Sequence, residues 1–180
     1  NRIDAASLLW RLQLLGEDVQ AHGRALADGW AQSDDEAGQY AFNDVHRVLA
    51  LLLAGEVPRA EAWLARCAER ALQSVDAGRD NHAMAREVGL PLMRGLIAWA
   101  HGDADGAVDL IAPVRGQAAR FGGSHAQRDL IDLTLLAAAA EGGRRSLGRA
   151  LLNERTMAKP ASPLSRHWAA RLALPCEARA

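Results

Sequence analysis

Four glycines divide this chain at near-regular intervals, and they restrict its fold more than any other feature. Gly16, Gly55, Gly102 and Gly143 each follow a run of apolar residues at helical spacing, at intervals of 39, 47 and 41 residues. An acidic residue comes directly after the first three, and alanine stands five positions beyond the glycine, at Ala21, Ala60 and Ala107. The fourth copy keeps the spacing but carries Gly148 in the alanine position. Glycine permits the left-handed backbone that turns one helix into an antiparallel second. A small residue one turn into the second helix lets the two backbones approach closely. A single hairpin of this kind cannot bury its apolar face, so copies must stack.

Residue usage agrees with helices throughout. Alanine supplies about a fifth of the chain, leucine and arginine are abundant, and aromatic residues make up only 4%. Leu8, Leu9, Leu12 and Leu15 form one helical stripe ending at Gly16, and Phe42, Val45, Val48, Leu49 and Leu52 form another ending near Gly55. Asp80 and Asn81 are placed to cap a helix that runs to His101, with Pro91 kinking it, and Asp103 to cap the next. Ser124 and Gln127 have capping-box spacing, so a long helix follows Gly122-Gly123 and ends at Gly142-Gly143. Ser162-Pro163 opens a last amphipathic helix over Leu164 to Leu174 that caps the stack. The expectation is all-α: eight or nine helices forming one domain over 1–180, an α-solenoid of about four helix-turn-helix repeats.

Charge and cysteines narrow the function classes. The chain carries 21 basic and 22 acidic side chains, a net charge of −1, and no clustered basic excess of the kind duplex binding needs. A nucleic-acid partner is not expected. The longest apolar run, Leu133 to Ala140, is far shorter than the roughly 18 residues of a membrane span, so it reads as a buried helix and no membrane partner is expected. The two cysteines, Cys67 and Cys176, share no short spacing with histidines, which fits a reducing cytoplasm and an inert buried thiol at Cys67. No cofactor is expected. A metal site from His46, His125 and Asp129 is conceivable, but no dense ligand motif supports one. Of the five tryptophans, Trp10 and Trp99 read as core and Trp168 as the more exposed.

Four segments carry a family resemblance: Asp4 to Leu12 around Trp10, Tyr40-Ala-Phe-Asn-Asp-Val-His46, Arg86-Glu-Val-Gly-Leu-Pro91, and Gly122-Gly-Ser-His-Ala-Gln-Arg-Asp129. Together they resemble the tetratricopeptide repeat protein 38 family over nearly the whole chain. The resemblance implies a right-handed tetratricopeptide-like superhelix and a cytoplasmic, protein-binding role, with no defined activity. Members of that family are usually longer on the N-terminal side, and this chain starts at Asn1 with no methionine or signal pattern. It is therefore expected to be the C-terminal half of a longer repeat protein. The apolar stripe of Leu8, Leu12 and Leu15 would then be an exposed end, suited to self-association.

Polar residues inside those segments are the candidate site. His125, Arg128, Asp129 and Asp132 share one face of their helix. Asn43, Asp44, His46 and Arg47 cluster on an earlier helix, and Arg86 and Glu87 lie one turn before Pro91. First helices of successive repeats line the concave surface of such a superhelix, so these stripes are expected to converge on one groove. His46, Arg86, His125 and Arg128 would act as donors there, and Asp44 and Asp129 as acceptors. The groove suits a protein or peptide partner with an acidic or carboxylate motif. Two other readings stand beside it: inter-helix ion pairs that fix repeat register, and a small-molecule or enzymatic site around His125, Arg128 and Asp129.

Overall fold

A computed structural model describes residues 1–33, 36–73, 80–120 and 122–173. Among these the chain is helical, with α1 (Arg2–Leu14), α2 (Gln20–Ala31), α3 (Ala41–Leu53), α4 (Val57–Ala71), α5 (Asp80–Met84), α6 (Leu90–Ala100), α7 (Ala104–Ile111), α8 (His125–Glu141), α9 (Arg145–Ala158) and α10 (Pro163–Ala173). A π-turn at Ala85–Gly89 fuses α5 to α6, and a 3-10 segment, Ala112–Gln117, extends α7. Among the described residues, no helix is long and apolar enough to cross a membrane. Cys176 and Leu174 lie outside the described residues.

All four turn glycines take the left-handed conformation, with φ of 97°, 80°, 80° and 71° at Gly16, Gly55, Gly102 and Gly143. In the first three turns the residue after glycine closes the helix end. The Glu17 amide donates to Leu12 O, Glu56 to Leu51 O and Asp103 to Ala98 O, each across six residues. Asp103 also caps α7, accepting from the Gly106 amide at 2.8 Å. The Ser124–Gln127 capping box is formed at the head of α8.

The register of the first copy differs from the sequence pattern. Helices α4, α7 and α9 begin two residues after their glycine, and their fourth residues, Ala60, Ala107 and Gly148, are buried. Helix α2 begins four residues after Gly16 instead, so Ala21 is exposed and Gly23 takes the contact position. A Cβ on Gly23 would lie 2.5 Å from the Leu53 carbonyl. The departure at Gly148 has a packing cause as well, since a methyl there would run into the Leu172 side chain of α10.

Pro91 stands in the first turn of α6, directly after the π-turn, where its missing donor is tolerated. The Leu90 amide reaches back five residues to Ala85 O.

Helices α3 and α8 supply much of the core. Helix α8 packs against α1, α7, α9 and α10, and every residue from Leu133 to Ala139 is buried. The contact with α1 brings the first hairpin against the fourth, which an open stack of four repeats would not do. Trp10 Nε1–H donates to Thr134 Oγ1 at 2.9 Å, and Arg171 of α10 donates to Leu14 O at 3.1 Å. This contact selects the face that α1 buries. Ala6, Ser7, Trp10 and Leu14 point inward, while Leu8 and Leu15, expected on the apolar stripe, are 56% and 36% exposed. Trp168 corrects another expectation, being fully buried, whereas Trp99 is half-buried.

Gly23→Ala should destabilise the fold by about 1–3 kcal/mol in urea unfolding, because the colliding atoms are backbone. Gly29→Ala in the same helix meets nothing nearer than 3.9 Å and should instead stabilise by up to about 1 kcal/mol. Equal effects of the two changes would contradict this register of α2 on α3.

Candidate functional site

The polar residues singled out in the sequence fall into two environments, one sealed and one open. Asp44 and His46 belong to the sealed one. Helix α3 is buried on nearly every face, so both side chains lie in the interior, 3% and 0% exposed, and not on a groove. The Asp44 carboxylate accepts from Trp63 Nε1–H at 3.0 Å and from the Gly38 amide at 3.2 Å. Burial pushes its carboxyl above the usual range, and burial likewise raises the Cys67 thiol beside it.

His46 is held as a neutral ring. Nδ1 lies 2.7 Å from the Phe42 carbonyl, which can only accept, so Nδ1 carries the proton and Nε2 accepts from Ser7 Oγ at 3.1 Å. Burial lowers its pKa to about 4.

The open environment is a cleft of about 830 Å³ along the N-terminal half of α8, walled by the 3-10 segment, the end of α9, the start of α10 and Arg11 of α1. His125, Arg128 and Asp129 line it. Asn43, Asp44, His46, Arg86 and Glu87 do not line it; Asn43 borders a small crevice with Trp30 and Trp63, and Glu87 pairs with Arg120 at 3.0 Å. The expected convergence of three polar stripes is therefore reduced to one.

Within the cleft, five cationic side chains (Arg11, Arg115, Arg128, Arg155 and Lys159) face three carboxylates, Asp129, Asp132 and Glu154. All three carboxylates are taken. Arg115 donates to Asp132 at 2.6 Å and to Glu154 at 2.5 Å, and these bonds hold its guanidinium more firmly protonated than usual. Arg155 grips both oxygens of Asp129, one of them at 3.2 Å. Arg128 turns away from carboxylates altogether and donates to the carbonyls of Gly122 and Gly123, bracing the turn before α8. Arg11, Arg128 and Lys159 have no carboxylate partner among the described residues. The first turns of α8 and α10 also open onto the cleft, adding the positive ends of two helix dipoles against the negative end of α9 at Ala158.

This arrangement can bind an anion. It is poorly suited to acid–base chemistry at His125, Arg128 and Asp129, because His125 is exposed and the other two are engaged with backbone and with Arg155. Among the described residues, no group of three or more His, Cys, Asp or Glu is placed to hold a metal ion.

Arg11, Arg115, Glu154, Arg155 and Lys159 also line the cleft, and the sequence pattern does not single them out. One local signal points to part of the set. In a hairpin turning at Gly142-Gly143, Asp129 lies 13 residues before the turn and Arg155 12 after it, so the two face each other. No such symmetry brings in Arg11. Comparison with known protein families gives no match, and no solved structure matches the chain.

The pH dependence of stability should carry the signature of His46. A histidine with a depressed folded pKa favours the folded state fully above its unfolded value of 6.5, and that contribution is lost as pH falls toward about 4. The loss should be about 3 kcal/mol for a shift of this size. Asp44, with a raised pKa, acts with the opposite sign above 3.8 but is common to wild type and His46→Gln. Subtracting the two urea-unfolding profiles should therefore leave a difference that varies between pH 6.5 and 4 and is flat above. A difference independent of pH would contradict a buried neutral His46.

Proposed function

We propose that this chain is a non-catalytic, protein-binding module of the tetratricopeptide-like kind, four helical hairpins of a right-handed repeat stack that present one cleft to an acidic peptide segment. The observation that carries the reading is the cation surplus of that cleft in a chain whose net charge is −1. The three carboxylates are consumed in tying α8 to the 3-10 segment and to α9, so the ion pairs fix the walls while Arg11 and Lys159 face the space between them. A carboxylate placed there gains charge-assisted hydrogen bonds and favourable helix dipoles at once.

The shared glycine turns and the small residue at the fourth position of each second helix support the repeat reading, as does the resemblance to the tetratricopeptide repeat protein 38 family. A cytoplasmic setting goes with that reading. Leu8 and Leu15 are exposed at helical spacing from Arg11 and put an apolar stripe on its face of α1. The fitting segment is thus acidic with flanking apolar residues, and self-association through that stripe is the competing use of the surface.

A fluorescently labelled peptide of alternating acidic and apolar residues with a free C-terminal carboxylate should bind in anisotropy titrations, more weakly as salt rises. Arg11→Met with Lys159→Met should weaken it by about tenfold and leave the fold intact. Equal binding of a peptide with Asn and Gln in place of its acids would defeat the proposal.

A further inference from the structure

Five polar side chains are buried among the described residues: Ser7, Asp44, His46, Thr134 and Ser165. Four of them are bonded inside the protein, Ser7 to His46, Asp44 to Trp63 and Thr134 to Trp10. Ser165 differs. It is 7% exposed, its hydroxyl has no hydrogen-bond partner among the described residues, and it lines the cleft from the first turn of α10. A hydroxyl held in this way at the wall of a cleft is available to a ligand.

We propose that the acidic group taken by this cleft is a phosphomonoester on a peptide side chain, met by Ser165, Lys159 and Arg11, a proposal that rests on the acidic-peptide reading above and names the acid. Charge separates the candidates. Arg115 and Arg155 hold the three carboxylates, and the five cations of the cleft leave an excess of two positive charges. A phosphomonoester carries about −1.5 to −2 at pH 7 and presents three strong acceptor oxygens. It matches the excess, where a single carboxylate brings about half the charge and one oxygen fewer.

The donors also differ in kind and in origin. Ser165 gives a hydroxyl from α10, Arg11 a guanidinium from α1, and Lys159 an ammonium from the residue that follows α9. Donors from three elements suit a tetrahedral group better than a planar one. Lys159 also offsets the negative end of α9 at Ala158, and α10 carries no acidic side chain in its own first turn to neutralise its positive end. No Trp, Tyr or Phe lines the cleft among the described residues to stack a base, which disfavours a nucleotide as the source of the phosphate. The exposed Leu8, one turn before Arg11, instead offers an apolar contact to a flanking peptide residue.

Three labelled peptides test this, identical except for phosphoserine, glutamate or serine at one position among apolar residues. In anisotropy titrations the phosphoserine peptide should bind about tenfold tighter than the glutamate peptide, and the serine peptide most weakly. Ser165→Ala, verified as folded by its thermal melt, should weaken the phosphoserine peptide by about tenfold and the glutamate peptide by less than about twofold. The amino acid phosphoserine alone should compete only at concentrations at least about tenfold higher than the peptide. Equal binding of the phosphoserine and glutamate peptides would overturn the proposal and leave the acidic-peptide reading standing, whereas no binding of either would end both. Unchanged phosphoserine-peptide affinity in Ser165→Ala would also overturn it, as would free phosphoserine competing as well as the peptide.

Discussion

A buried indole N–H is costly without an acceptor, and that of Trp10 finds the hydroxyl of Thr134, 124 residues away. Thr134 can accept because its own proton is already directed to the Leu130 carbonyl one turn back, at 2.7 Å. One turn before Trp10, Ser7 reaches His46 of α3. Helix α1 is therefore hydrogen-bonded in the interior to two different helices. Each of these groups would cost about 1–3 kcal/mol if left unsatisfied, so the rotation of α1 about its axis is closely determined. The fourth hairpin is drawn onto the first, and α8 becomes a helix enclosed along most of its length.

That enclosure decides where polar residues end up. Along α8 only the N-terminal half remains open, and there Asp129 and Asp132 are taken by Arg155 and Arg115. The residues that hold the cleft together and those that remain to meet a ligand are thus different sets. Along α3 packing against α1, α2, α4 and α6 leaves little open face, so Asp44 and His46 serve as interior anchors whose charges are suppressed by burial. Polar stripes that look alike in sequence have opposite fates because one lies inside the closed arrangement and the other at its mouth.

Most local features are legible in the sequence. The glycine turns, the capping box at Ser124 and the cap at Asp103 depend on residues within one helical turn of each other, and the structure forms all of them. In the first hairpin the pattern misplaces the contact, because α2 starts two residues later than the spacing implies and moves it from Ala21 to Gly23. On α1 the leucine stripe is the stronger local signal, but only its Leu9 and Leu12 pack against the core, whereas Ser7 and Trp10 are fixed by partners 39 and 124 residues distant. For the cleft, the same distinction holds. Asp129 with Arg155 follows from hairpin symmetry, while Arg11 joins only because α1 packs on α8.

The contact between α1 and α8 is the claim on which the rest stands, and the Trp10 indole reports on it directly. In a nuclear Overhauser spectrum of the folded protein, the Trp10 Nε1–H should show a strong cross-peak to the Thr134 methyl, as their 2.9 Å hydrogen bond requires. Thr134→Ser should abolish that peak while leaving the indole proton protected from solvent. Absence of the wild-type cross-peak, with an indole proton that exchanges freely, would mean that the first and fourth hairpins are apart and the stack is open.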